Sequence, residues 1–401
     1  MKVLQINSVC GTGSTGRIAV DISKVLFEHG IDNKIFFGIA SGEYHAGKKF
    51  GSNLDLRSHQ LVTRFWGTHG MSSSGPTKKM IESIREYNPD VIHLHNIHGF
   101  YLNTQLLFQY LKHSDKPVVW TMHDCWAFTG HCAYFDMVQC DKWKKKCYKC
   151  PALKSYPVSY IFDKSTFNFE KKKKVFTSIE NLTLVTPSKW LKNQIKESFL
   201  SRFQINVIHN GIDLSVFRPL NQIELKRKYH LEKKKVILGV TSQGFSGRKG
   251  LNHFIALARN LDSDNQIILI GIDEKDRKQI PSSIIGITRT ENIQELAEYY
   301  SLADVFVNPT LEDNFPTVNL ESLACGTPVI TFNTGGSPEA VDQDTGMVIE
   351  RDNNQELFKA IQEIVRGGKL HYTQKCRDRA VNYYSGKDRN VDYIKLYRSI
   401  L

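Results

Sequence analysis

At 401 residues, 41% apolar and 23% charged, the chain can bury a core in each of two domains and has the balance of an ordinary globular protein. It shows no apolar run of the roughly 18 residues that a membrane span needs, and Met1 to Asn7 reads as a strand rather than a signal peptide, which points to the cytoplasm. The formal charge of +12 lies wholly in the first half: residues 1–210 hold 28 Lys and Arg against 16 Asp and Glu, and the rest holds 25 of each. A half so charged attracts phosphates or anionic lipid headgroups.

The first strand is expected at 3–7, where Val, Leu and Ile cluster. A glycine loop follows, Cys10-Gly11-Thr12-Gly13-Ser14-Thr15-Gly16, and then helical periodicity over 16–29. Strands at 34–38, 91–94 and 118–122 come next, with a helix over 77–87. His93 and His95 share a strand face and His98 falls in the following loop, a weak pattern for a metal. A long basic and aromatic insert occupies 128–176. It holds Cys132, Cys140, Cys147 and Cys150, whose Cys-x-x-Cys half is typical of a zinc knuckle; four thiolates would close a structural zinc site, and free thiols are the alternative. The insert also holds Lys142-Trp143-Lys144-Lys145-Lys146 and Lys171-Lys172-Lys173-Lys174, either an anion-binding patch or a solvated helix face.

Strands at 182–186 and 205–209, around a helix over 188–198, finish the first series. Asn210-Gly211-Ile212-Asp213 and Pro219 mark a boundary. A second series has strands at 236–240, 267–270, 284–287, 305–307, 328–331 and 347–349, with helices at 250–260, 293–302, 318–325 and 355–366. Continuous apolar strands alternating with helices predict parallel sheets covered on both faces. The expectation is α/β: two doubly wound, Rossmann-like domains, 1–210 and 211–387, the first completed by an apolar-striped helix over 388–401.

Two segments of the second half carry chemistry. Ser242-Gln243-Gly244-Phe245-Ser246-Gly247-Arg248-Lys249-Gly250 follows a strand and opens a helix, so backbone N–H groups and two cations could meet a diphosphate. The stretch from Asn308 to Glu321 sets Glu312, Asp313 and Glu321 between a strand end and a helix opened by Pro316 and Thr317. A carboxylate there can accept two ribose hydroxyl hydrogens, and another can orient the hydroxyls of a sugar.

With the linker Val207-Ile208-His209-Asn210-Gly211-Ile212-Asp213, the segment Gly335-Gly336-Ser337-Pro338-Glu339 and Trp120-Thr121-Met122-His123-Asp124, these motifs make nearly the whole chain resemble glycosyltransferase family 4. That is a retaining family with the GT-B fold of two facing Rossmann-like domains, and the chain is most similar to its exopolysaccharide, colanic-acid and O-antigen assembly enzymes. The resemblance implies a UDP- or GDP-sugar donor, its diphosphate against Arg248, Lys249 and the Gly244 loop and its ribose on Glu321. Asp313 and the backbone of Asn314, Phe315, Pro316 and Thr317 would hold the sugar. His123 would reach the donor sugar, with Thr15 and Gly16 facing acceptor and donor. It also implies no catalytic metal and a glycan acceptor, lipid-linked, at the anionic inner face of a membrane to which the enzyme binds peripherally. The chain departs from the family twice: Gly244 stands where the phosphate-binding Arg is usual, and Asp313 where the first of two Glu is usual. Two alternatives are a GT-B sugar-nucleotide epimerase and a basic nucleic-acid-binding protein. The second accounts for the charge but not for the acidic segment, so no nucleic-acid partner is expected.

Overall fold

The computed structural model describes residues 1–401 except 43, 243 and 246, so Gln243 and Ser246 of the loop motif lie outside the described residues. The chain divides into two compact units, one of residues 1–209 with 389–401 and one of residues 210–388.

The first unit is built on seven parallel strands: β1 (Lys2–Cys10), β2 (Asp32–Ser41), β3 (Gly47–Lys49), β4 (Val91–Leu94), β5 (Val118–Thr121), β6 (Leu182–Thr186) and β7 (Gln204–Val207). Their order is β3-β2-β1-β4-β5-β6-β7. Successive side chains of β1 enter different core layers, as a strand covered on both faces requires. Val3 packs with α1 (Gly13–Glu28) residues Ile22 and Leu26, whereas Leu4 and Ile6 join the large cluster around Phe36, Leu94 and Trp120. The other helices are α2 (Asn53–Trp66), α3 (Ser74–Tyr87), α4 (Thr104–Lys112), α5 (Ser165–Phe176) and α6 (Lys189–Lys196). Ser52 and Asp55 form a capping box at α2, and Asn103 and Ser188 cap α4 and α6.

Strand β3 and helices α2, α4 and α5 lie outside the elements read from sequence. In α5 the run of four lysines is not one solvated face. Lys172 turns inward, is buried, and donates to the carbonyls of Trp126 (2.6 Å) and Thr129 (3.1 Å) with its ammonium 3.5 Å above the Trp126 ring. Burial, outweighing the opposing pull of Cys147, Cys132 and Asp124, pushes its pKa down to about 7.

The second unit has six parallel strands, β8 (Lys235–Val240), β9 (Asn265–Ile270), β10 (Ile284–Ile287), β11 (Val305–Asn308), β12 (Val329–Phe332) and β13 (Gly346–Ile349), in the order β10-β9-β8-β11-β12-β13. Around them lie α7 (Ile223–Lys228), α8 (Leu251–Ala258), α9 (Glu274–Arg277), α10 (Ile293–Leu302), α11 (Thr317–Ala324), α12 (Asn354–Gly367) and α13 (Leu370–Tyr384). This is the doubly wound order, and the winding reverses between β8 and β11, so that the helices after them, α8 and α11, pack in different core clusters.

Helix α14 (Gly386–Ser399) closes the first unit. Its Tyr393, Ile394 and Tyr397 pack with Val3, Val91 and Val119. The Tyr397 hydroxyl lies 2.6 Å from His93 Nδ1, and Thr121 donates to the Tyr393 hydroxyl at 3.2 Å. Among the described residues no helix is long and apolar enough to cross a membrane.

Candidate functional site

In the second unit the residues singled out from the sequence gather at the crevice between β8 and β11. After β8 the chain turns through Gly244, whose φ of +82° suits glycine and whose added Cβ would lie 3.0 Å from an Asp273 oxygen and 3.1 Å from an Asp276 oxygen. The arginine that the family places at this position would therefore have to displace carboxylates. Three N–H groups of this segment have partners within the unit. Gly244 N–H goes to the Gly271 carbonyl, Phe245 N–H to Asp276, and Leu251 N–H to the Phe245 carbonyl. Gly244 thus serves as a tight turn. Gly250, the N-cap of α8, sits so close to Pro309 that a Cβ would meet its carbonyl oxygen at 2.4 Å.

That close approach brings the cations to the acidic segment. Arg248 donates to the Glu312 carbonyl at 2.7 Å and returns its own carbonyl to Leu311 N–H at 2.7 Å. Lys249 Nζ lies 2.6 Å from Asp313 Oδ2, and Arg248 Nη1 lies 3.7 Å from the same oxygen. Burial would raise the Asp313 carboxyl, but Lys249 first and then Arg248 outweigh it and hold it below the usual carboxylate range. The Asp313 carboxylate thus meets both cations, and Glu312 is buried with its carbonyl accepting from Arg248. The backbone at Asp313 is clamped from behind by Gly335, at φ +55°, whose added Cβ would overlap the Asp313 carbonyl, and by Gly336 N–H at 3.1 Å.

Glu321 is buried one turn into α11 and accepts from the Tyr300 hydroxyl at 2.9 Å. Asn314 and Phe315 are buried as well; the Phe315 ring packs near Tyr384 and its carbonyl accepts from Asn210. Phe315 therefore offers the site only backbone. Pro316 is the N-cap of α11 and Thr317 its first residue. Asn319 anchors this start by taking Asn308 Nδ2 at 2.8 Å and donating to Ser337 Oγ at 3.1 Å. Sequence reasoning missed Tyr300 and this Asn308–Asn319–Ser337 set. Asn308, Asn319 and Ser337 stood within quoted motifs and Tyr300 outside them, but Asn, Ser and Tyr have no spacing that marks a support role.

In the first unit Thr15 and Gly16 lie in the opening turn of α1, after β1. Gly16 is fixed by contact: a Cβ would come within 3.1 Å of Val9 and 3.2 Å of Gly11 N, while its carbonyl accepts from Gly11 N–H at 3.0 Å. His123, after β5, stacks on His95 with ring centroids 5.4 Å apart, the nitrogens 3.1 Å apart; His95 in turn reaches Gln5 at 3.0 Å. Burial pushes the His123 pKa down to about 4, so it presents a neutral imidazole at pH 7. His93, His95 and His98 spend their nitrogens on Thr121, Tyr397, Gln5, His123, Tyr156 and Asp124.

Cys132 hydrogen-bonds to Cys150, and Cys147 Sγ accepts from Gly130 N–H at 3.1 Å. Cys132, Cys140, Cys147 and Cys150 carry free thiols, and Cys147 lies close enough to Cys140 and Cys150 for each to add to the rise that burial gives its pKa.

Residues 15–216 match the family described as Glycosyltransferase Family 4, and residues 234–366 match Glycosyl transferases group 1. WcaC of Escherichia coli (strain K12), a putative colanic acid biosynthesis glycosyl transferase, is 22% identical over 423 residues that span 100% of both chains. Sucrose-phosphate synthase from Thermosynechococcus elongatus superposes with a TM-score of 0.71 at 17% identity, over 100% of this chain and 98% of that one. Anabaena HepE in complex with UDP-glucose gives 0.68 at 15% identity over 100% of each chain.

Proposed function

The chain belongs to glycosyltransferase family 4 and has the GT-B fold of two Rossmann-like domains, and from that membership we propose how this polysaccharide-biosynthesis glycosyltransferase works. It is a retaining enzyme that takes a sugar from a nucleoside diphosphate, a UDP- or GDP-sugar, and adds it to a lipid-linked glycan while bound peripherally to an anionic membrane face. The observation that carries the donor reading is the convergence of Lys249, Arg248 and Asp313 within 4 Å at the point where the winding of the second sheet reverses.

A diphosphate arriving there is a better partner for Lys249 and Arg248 than a single carboxylate, because it carries more charge. Lys249 then neutralises the phosphate oxygen on which charge builds as the sugar C1–O bond breaks, and Asp313, released, turns to the sugar hydroxyls. Glu321, oriented by Tyr300, accepts from the ribose hydroxyls. His123, neutral, contributes a hydrogen bond rather than charge to the donor sugar. Glu312 stays out of the chemistry. Retention follows if the acceptor hydroxyl enters on the face the phosphate leaves and passes its proton to that phosphate. UDP-glucose bound to HepE supports the donor class, and the WcaC likeness supports the glycan acceptor.

Calorimetry against UDP and GDP, followed by proton NMR of the product's anomeric centre, tests this reading. Micromolar binding of one diphosphate and an anomer like the donor's are expected. Failure of both diphosphates to bind would refute the donor site, and an inverted product would refute retention.

A further inference from the structure

Three elements of the first unit meet at one corner. Tyr160 N–H bonds to the Arg64 carbonyl of α2 at 2.8 Å, and Asn168 of α5 reaches the Gly67 carbonyl at 2.7 Å. Ser159 closes on the Phe162 carbonyl at 2.8 Å, and Gly67, at φ +69°, lies so near that carbonyl that a Cβ would stand 2.6 Å from it. On this hydrogen-bonded junction Phe65, Trp66, Tyr160, Ile161, Phe162 and Phe167 are 41 to 66% exposed. One exposed aromatic needs no explanation, but six large apolar side chains on adjoining backbone do.

The surrounding charges say what covers them. Lys164 Nζ stands 5.9 Å over the Phe162 ring, Arg64 lies beneath Phe65 in sequence, and Lys171 and Lys174 follow Phe167 at helical spacing on α5. Of the acids there, Asp163 is spent on Cys150 N–H (2.7 Å) and Ser165 N–H (2.8 Å), leaving Glu170 against several cations. Trp, Tyr and Phe tips ringed by Lys and Arg, whose stems lie along apolar surface while their heads stay wet, match the boundary between lipid headgroups and acyl chains. The half of the chain that bears this corner also holds all of the net positive charge.

We propose that this aromatic corner is a membrane-docking surface whose partner is an anionic phospholipid bilayer. It deepens the reading of a lipid-linked acceptor and rests on it, by naming the surface that holds the enzyme at that acceptor's membrane. The apolar side chains enter the interface and the cations hold the headgroups. Lys172, buried against Trp126, takes no part, so the contact is narrower than the lysine run suggests.

The test uses the full chain, vesicles of phosphatidylglycerol and phosphatidylcholine without any glycan acceptor, and phosphatidylcholine vesicles as the neutral arm. Wild type should sediment with the anionic vesicles alone, and a Trp66→Ser, Ile161→Ser, Phe162→Ser variant should bind them at least tenfold more weakly with an unchanged melting temperature. Brominated acyl chains should quench wild-type tryptophan emission, and Trp66→Phe should abolish most of that quenching. Lys171→Glu with Lys174→Glu should also weaken binding, more so at low salt. Wild type that ignores anionic vesicles, or a triple variant that binds like wild type, overturns the proposal. So does wild type that is a dimer by light scattering and becomes a monomer in the variant without loss of vesicle binding. Turnover of the donor with a soluble acceptor keeps the two readings apart: the triple variant should retain it, and an inactive wild type beside intact vesicle binding would count against the proposed function and not the docking surface.

Discussion

Asp313→Asn should tighten the binding of the bare nucleoside diphosphate while it lowers sugar transfer. In the structure Asp313 holds Lys249 at 2.6 Å, and their side chains are 16% and 23% exposed. A hydrogen bond between charged groups contributes about 1.5–3 kcal/mol. Partial exposure and the bond that an asparagine oxygen can still accept reduce the part lost to about 1–2 kcal/mol. A diphosphate that takes Lys249 must break this pair, so removing the carboxylate should improve its dissociation constant by roughly 5- to 30-fold. Transfer should fall because the sugar loses the carboxylate that orients it. Titration calorimetry of UDP and GDP against variant and wild type measures the first effect, and initial rates at saturating donor measure the second. Unchanged or weaker diphosphate binding in Asp313→Asn would refute the competition, and unchanged transfer would remove Asp313 from the sugar site.

Glu321→Gln should weaken diphosphate binding several-fold, since one amide oxygen cannot accept both ribose hydroxyls; calorimetry with the diphosphate alone decides it. His59, His123 and His131 have their pKa pushed down to about 4, and His93 to about 3, by burial. Each is neutral when folded but takes a proton near pH 6.5 when unfolded, so stability is complete above about 6.5. It is lost toward pH 4 by up to about 1.4 kcal/mol per histidine per pH unit. A melting temperature flat between pH 7 and 5 would contradict this. Lys172→Met should leave the Trp126 and Thr129 carbonyls without their donor and lower stability by about 1–3 kcal/mol in urea unfolding, whereas Lys174→Met on the exposed face should change it by less than about 0.5 kcal/mol.

Both sheets were legible because buried parallel strands read as short runs dominated by Val, Ile and Leu: 91–94, 182–186 and 284–287 match the sequence reading residue for residue. Strand β3, Gly47–Lys49, has no such run; it is a three-residue edge strand paired only with β2. Helix α5 was obscured because its lysines look uniformly solvated, and only packing reveals that Lys172 is turned inward. In the second unit the acidic and basic residues were legible as types, since few other chemistries call for them at the ends of adjacent strands. Their mutual pairing was not, because Lys249 and Asp313 are 64 residues apart and meet only through the close approach of Gly250 to Pro309.

Residues 389–401 complete the core that begins with Val3, through Tyr393 and Tyr397 against β4 and β5. On the ribosome, residues 1–209 must therefore wait for nearly two hundred further residues before that hydrophobic face is covered, about 10 to 40 s at ordinary synthesis rates. The second unit, made later, has all of its strands in one continuous stretch and can close first. Order of manufacture and order of completion are thus reversed, and the nascent first unit is the stage at which a chaperone would find apolar surface to hold.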